Sequence, residues 1–434
     1  MLATRLTTTR GVGEPEPLSP VAISHLFCFW HALIQFRKTD VMNKSTYRYR
    51  AVHRIFEKLL ALSAPLFPRA NGQPLRELPR KLLVLKFGGM GEAVLARSLV
   101  ERLQERHPSI TFDFLVEKRT VETMTIGRSG SVLMYSPGTD GIPKALSILK
   151  EIRSRRYDAV LDFEQHSLLT AAFTRATAIP VRIGFLPSKS NARSQMFTHS
   201  IQLQEGELMW SAFVRLGRVL DPELPVPLMT VPLPVSEEAE TWFQKWWNAN
   251  VRVGKRGPVV AMHLGVGPSA QYRRWPAERF ADLAVALTKI HPEIIVVLTG
   301  AKGERSLFDD FRRRFAGKII DAADLGGLDR TGALLRHCDL LVTGDTGIMH
   351  LAAAMGTPTV GLFGPNTPAC WAPVGPHAAS VYRTYQPCTP CINSYRRHIP
   401  EKCIATQESA CMWDITIHDV LNAARSVVQG SWLL

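Results

Sequence analysis

The sequence predicts an α/β protein built from two successive parallel-sheet units, each with helices on both faces, behind a basic N-terminal extension. Three observations carry this reading. The chain has 434 residues, too many for one ordinary core and comfortable for two. From Lys81 onward short apolar runs alternate with helical stretches, and that alternation restarts after a proline-rich stretch at residues 221–234. The composition, 46% hydrophobic and 21% charged, is that of a folded globular chain and excludes a low-complexity or collagen-like one.

Residues 1–80 show no strand–helix alternation. They hold twelve Lys/Arg against five Asp/Glu, which is half of the net charge of +14. Such a balance points to an anionic partner. No nucleic-acid motif accompanies it, so nucleic acid is set aside in favour of a membrane surface or a phosphorylated substrate. Residues 17–36 are uncharged and near the length of a membrane span. Their prolines, serines, histidines and glutamine argue against a spanning helix. Met42 is a second candidate start. Residues 45–62 read as a helix in which Val52, Ile55, Phe56, Leu59 and Leu62 form a stripe, with Arg48, Arg50, Arg54 and Lys58 mostly off it. Such a helix either lies on an anionic bilayer or packs its stripe on the first unit. The seven cysteines lack the scattered even pairing of secreted proteins and no cleavable signal is evident, so a reducing cytosol is expected.

The first unit, residues 81–235, opens with KLLVLKF, an apolar run that reads as a buried strand. A glycine loop and the helix VLARSLVERLQERH follow, then strands at TFDFLVE, YDAVLDF and VRIGF. The second unit, residues 236–434, begins with an amphipathic helix at about 236–249. It continues with strands at PVVAMHL, EIIVVLTG, DLLVTGD and TPTVGLFG, separated by helices, and ends with a cysteine cluster and a final helix. Two such units form a cleft between the carboxyl ends of their strands, where open α/β sheets bind ligands.

Four segments carry chemistry. The loop Gly88, Gly89, Met90, Gly91, Glu92 joins a strand to a helix, which lets backbone approach a ligand and places a carboxylate at the positive end of the helix dipole. Glu92 there is either a helix cap or a general base. Residues 262–280 place Ser269, Arg273 and Arg274 in a loop suited to a diphosphate, with Trp275 as a core anchor. In residues 343–365 Asp345 closes a strand, Thr346 and Gly347 open a helix with free N–H groups, and His350 lies one turn along the same face. Finally, Cys388, Cys391, Cys403 and Cys411 offer four thiolates for a structural zinc or iron, or else are plain free thiols.

The order GGMGE, RIGF, HLGVGPS with RRWPAERF, GAKGE, GDTGIMHLAAAMGTPTVGLFGP and then CTPC resembles glycosyltransferase family 9, the heptosyltransferases, over roughly residues 81–425. The resemblance implies a GT-B fold of two Rossmann-like domains. It implies an inverting, metal-independent transfer of sugar from a nucleotide diphosphate, usually ADP-heptose, to the inner core of lipopolysaccharide. An anionic glycolipid acceptor and a cytoplasmic site at the inner-membrane surface come with it. Glu92 stands where the family has an aspartate base, and Arg273 where it has a lysine neutralising the donor phosphates. Both departures keep the charge. Ser269 matches a hydroxyl at the phosphates, Glu304 an acid at the ribose and Leu328 an apolar cover for the base. Asp345, Thr346, Gly347 and His350 match the grip on donor sugar and diphosphate. A non-catalytic nucleotide-sugar binder and a GT-B epimerase are the alternative readings.

Overall fold

The computed structural model describes Leu75 and residues 77–433, apart from residues 128–130, 137–139, 188–191, 226–231, 252–256 and 431. The expected basic helix at 45–62, the uncharged stretch 17–36 and part of the proline-rich linker lie outside the described residues.

β1 (Lys81–Lys86), β2 (Thr111–Val116), β3 (Val132–Met134), β4 (Ala159–Asp162), β5 (Val181–Leu186) and β6 (His199–Gln202) form one parallel sheet in the order β3-β2-β1-β4-β5-β6. β7 (Val259–His263), β8 (Ile295–Gly300), β9 (Ile319–Ala323), β10 (Leu340–Gly344), β11 (Thr359–Phe363) and β12 (Ala378–Tyr382) form a second, in the order β12-β11-β10-β7-β8-β9. Read from opposite edges, the two orders are the same. β4, β7, β10 and β11 are buried along their whole length, and β1 along all but its first residue, because helices cover both faces. In each sheet the order reverses at the central pair, β1 with β4 and β7 with β10, and a crevice opens beyond the carboxyl ends there.

Local chemistry fixes which segment joins which sheet. The helix Glu237–Asn250 starts at Ser236, whose hydroxyl accepts from the Ala239 N–H at 3.1 Å and also reaches Asp329 at 2.5 Å. Phe243 and Trp247 of that helix share a core cluster with Leu334, Leu341 and Leu351 of the second half. Trp275 is a core anchor, as expected. It is buried against Phe280, and its indole N–H donates to the Ile415 carbonyl at 3.3 Å. The final helix, Ile417–Val427, buries Val420, Ala424 and Val427 in the same core.

The halves meet at two helix starts. The helix Met90–Arg106 follows β1 and the helix Gly347–Ala354 follows β10, and their first turns pack together. Glycine makes this approach possible. A Cβ on Gly91 would lie 2.7 Å from His350 Cδ2, and one on Gly347 would lie 2.9 Å from Met90 Cβ. Around this contact the Glu122 carboxylate accepts the Leu328 N–H at 3.1 Å, and Arg396 pairs with Glu205 at 2.8 Å. Gly91→Ala should therefore leave both sheets folded but hold the halves apart. Since a displacement of about 1 Å can cost ~10²-fold in rate, steady-state kinetics should show a loss of that order with thermal unfolding little changed. Parental turnover would show that the two helix starts need not meet.

Candidate active site

A cleft of about 830 Å³ lies between the halves, and both helix starts open onto it. No side chain caps the helix at Gly89 or the helix at Thr346, so the first-turn N–H groups of both are available to a ligand. Glu92, Glu304, Leu328, Arg273, Asp345, Thr346, Gly347 and His350 all line this cleft, together with Gly89 and Gly91. The side chain of Ser269 lies outside what is described; its backbone falls in the short turn Pro268–Arg273. Gly88 is not part of the lining. Its N–H is spent on Glu164 Oε1 at 3.0 Å, so it braces the loop rather than meeting a ligand.

On the second-half wall, Asp345 follows β10 and accepts from Arg273 Nη1 at 3.2 Å and from Asn366 Nδ2 at 2.9 Å. Asn366 is buried and sits just beyond β11; no sequence signal singled it out. Arg273 Nε and His350 Nδ1 have no hydrogen-bond partner among the described residues, although each is buried. Buried polar atoms are almost always paired, so both atoms suit a polar ligand in the cleft. Burial pushes the His350 imidazole down to about 4, against a pull upward from Asp345, so it is neutral at neutral pH. Trp371 meets the His350 ring edge-on at 6.5 Å and donates its indole N–H to Ser394 Oγ at 3.0 Å. Glu304 folds back over the chain: its Oε2 accepts the Ala301 N–H at 2.8 Å, and a Cβ on Gly265 would lie 2.0 Å from its Oε1.

On the first-half wall the structure supplies what the sequence reading missed. Lys86, the last residue of β1, is fully buried and touches Glu92 Oε2 and Glu164 Oε1, both at 2.6 Å. Burial works against the Lys86 charge, but Glu164 and Glu92 more than offset it and hold the ammonium above its usual range. Glu164 Oε1 also accepts the Phe87 N–H at 2.9 Å. Burial opposes the Glu164 charge as well, yet Lys86 and the two amides hold this carboxyl below its usual range. Breaking such a buried pair typically costs ~3–5 kcal/mol. Gln165 Nε2 approaches the same Glu92 Oε2 at 3.4 Å, so the shortest contacts of Glu92 to Lys86 and Gln165 are both made through Oε2. The lysine was legible only as the end of an apolar strand; its partner Glu164 comes from the neighbouring strand's loop, 78 residues on.

The four late cysteines come together: Cys388 and Cys403 act on Cys391, and all three act on Cys411, whose thiol burial first and then Cys391 push up to about 11. Among the described residues no group of three or more His, Cys, Asp or Glu is arranged around a metal position. Cys411 packs in the second-half core and Cys391 and Cys403 against Tyr272 and Ile392. Beside these cysteines, Ile392, Ser394 and Ile399 line the cleft.

The sequence model of glycosyltransferase family 9 (heptosyltransferase) matches residues 145–399. Lipopolysaccharide heptosyltransferase 2 of Escherichia coli K12 is 25% identical over 334 residues, covering 70% of this chain and 88% of that protein. The solved structure of E. coli ADP-heptose LPS heptosyltransferase II shares the fold over 80% of this chain and 98% of its own, with a TM-score of 0.60 and 22% identity. A family 9 glycosyl transferase from Veillonella parvula does so over 83% and 98%, with a TM-score of 0.63 and 17% identity. The matched segment runs from the middle of the first half through β12 to the cysteine-bearing loop, so it takes in the second-half wall of the cleft, while the first-half lining residues Gly89, Gly91, Glu92 and Glu122 precede it. The chain belongs to glycosyltransferase family 9, the heptosyltransferases, and is a glycosyltransferase of the GT-B fold.

Proposed function

We propose that this protein transfers heptose from ADP-heptose to a lipopolysaccharide core or a related anionic cell-envelope glycan, inverting the anomeric carbon without a catalytic metal. The observation that carries the reading is the placement of Glu92 on one wall and of Arg273, Asp345 and His350 on the other, with two uncapped helix starts between them. On this reading the division between acceptor and donor domains falls near residue 235. Two of the similar proteins support the sugar and the acceptor: E. coli lipopolysaccharide heptosyltransferase 2 and ADP-heptose LPS heptosyltransferase II.

The donor lies on the second half. Its diphosphate sits at the Thr346–Gly347 helix start and against Arg273, which turns from Asp345 to the phosphates. Glu304 meets the ribose and Leu328 the base. Glu92 Oε1 accepts the proton of the acceptor hydroxyl, whose oxygen bonds to the anomeric carbon from the face opposite the diphosphate. The anomeric C–O bond breaks and its electron pair leaves on ADP. Charge growing on that leaving group is stabilised by the helix amides and Arg273.

The two walls separate in kinetics. Glu92→Gln should lower kcat by ~10²–10⁴-fold while donor affinity hardly changes. Arg273→Ala should weaken donor binding and slow transfer together. Calorimetry with ADP-heptose and transfer assays at saturating donor check both; parental turnover in Glu92→Gln would move the base elsewhere.

We further propose that the basic N-terminal extension holds the enzyme at an anionic membrane, where such an acceptor resides. Its charge excess supports this. The full chain should sediment with vesicles rich in anionic lipid, and less so as salt rises, whereas a version starting at Arg80 should stay in solution. Equal sedimentation of the two would remove this role from the extension.

A further inference from the structure

Lys86 and Glu164 do not line the cleft, yet Lys86 touches Glu92 on one side and Glu164 on the other, each at 2.6 Å. We infer that Lys86 and Glu164 act as a positioning pair for Glu92, holding its Oε2 so that Oε1 faces the acceptor and keeping the buried ammonium paired when Glu92 takes up a proton. The inference rests on the reading of Glu92 as the base.

The geometry assigns the parts unequally. Lys86 spans both carboxylates at 2.6 Å and is fully buried. Glu164 is tied through one oxygen to Lys86, to the Phe87 N–H at 2.9 Å and to the Gly88 N–H at 3.0 Å. It is therefore fixed to the glycine loop and is the partner that never lets go. Glu92 makes its shortest contacts to Lys86 and Gln165 through Oε2. When Oε1 takes the acceptor's proton, Glu92 becomes neutral and its attraction to Lys86 falls away. Without Glu164 that step would strand an ammonium in the interior, which is strongly unfavourable. With Glu164 in place the cation stays neutralised, so Glu92 can cycle. A lone lysine beside the base would be attracted to Glu92 alone; the lysine shared with Glu164 divides that attraction and still holds Glu92 in orientation.

The other groups around Glu92 do not duplicate this arrangement. Gln165 is neutral, and Met209 Sδ lies 3.6 Å from its amide. Glu117 and Arg119, on the loop after β2, pair with each other, and Arg119 Nε also reaches the Phe87 carbonyl at 3.3 Å. His350, which meets Gly91 from the second half, is neutral at neutral pH. Lys86 is thus the cation in contact with Glu92 among the described residues.

The test is the rate–pH profile of transfer at saturating ADP-heptose for the full chain, with Glu164→Gln, Lys86→Met and Glu92→Gln. Glu164→Gln leaves Lys86 to Glu92 alone and should move the acidic limb of kcat to lower pH. Lys86→Met leaves two carboxylates facing each other and should move it to higher pH. On the limb the rate changes about tenfold per pH unit, so a one-unit displacement changes the rate at a fixed acidic pH by roughly tenfold, upward relative to the plateau for the first variant and downward for the second. Opposite displacements establish the pair. Unmoved limbs, or displacement in the same direction, overturn it and leave both residues with a structural role. If Lys86→Met fails to fold, Glu164→Gln decides alone, since Lys86 keeps a partner in it. Glu92→Gln separates the two levels: parental turnover there removes the base itself, whereas its loss together with unmoved limbs in the other two removes only the positioning pair.

Discussion

Everything in this enzyme that bears on catalysis depends on one steric allowance: the starts of two helices, one from each half, touch through residues that have no side chain. Gly91 leaves room for the His350 ring and Gly347 leaves room for Met90. Each helix follows the central strand of its sheet, so the meeting point is also where the strand order reverses in both sheets. Two positive helix ends brought together repel weakly unless something negative lies between them. The contact therefore favours an anionic ligand in the cleft as much as it shapes the cleft. Glu92 on one side and the Asp345–Arg273 pair on the other set the remaining charge.

The two walls solve the same problem in different ways. Each presents an ionic group at the end of a buried strand and holds it with a second, buried polar group. On the donor wall Asn366 keeps a hydrogen bond on Asp345, so Arg273 can turn toward phosphate without leaving that carboxylate bare. On the first-half wall Lys86 pairs with both Glu164 and Glu92, so in the proposed reaction Glu164 stays on Lys86 while Glu92 changes protonation. In both, the buried partner stays satisfied when the working group moves. A cleft that closes on substrate needs this, because desolvation makes any abandoned charge expensive.

The sheets were legible in the sequence where strands are buried on both faces. KLLVLK, AVLD, VVAMH, LLVTG and TVGLF are apolar runs, and each proved to be a strand of a parallel sheet. The edge strands β3, β6, β9 and β12 were not named. They are short or half exposed, as in HSIQ of β6, and their placement is set by pairing to a neighbour rather than by their own pattern. Glycine loops marked the helix starts, so Glu92, Asp345 and His350 could be singled out. Lys86, Glu164 and Asn366 could not, because each acts through a contact made by folding: Lys86 and Glu164 are joined only by the pairing of β1 with β4.

The account's central claim is that the donor diphosphate is held by the second half while the acceptor is activated from the first. A crystal structure of the full chain with ADP bound tests it most directly. The account predicts the β-phosphate within hydrogen-bonding distance of the Thr346 and Gly347 amides, Arg273 turned from Asp345 onto the phosphate oxygens, the ribose at Glu304, and Glu92 still on Lys86 and free of the nucleotide. A diphosphate seated instead at the Gly89–Gly91 helix start, or contacted by Glu92 and Lys86 rather than by Arg273, would contradict it.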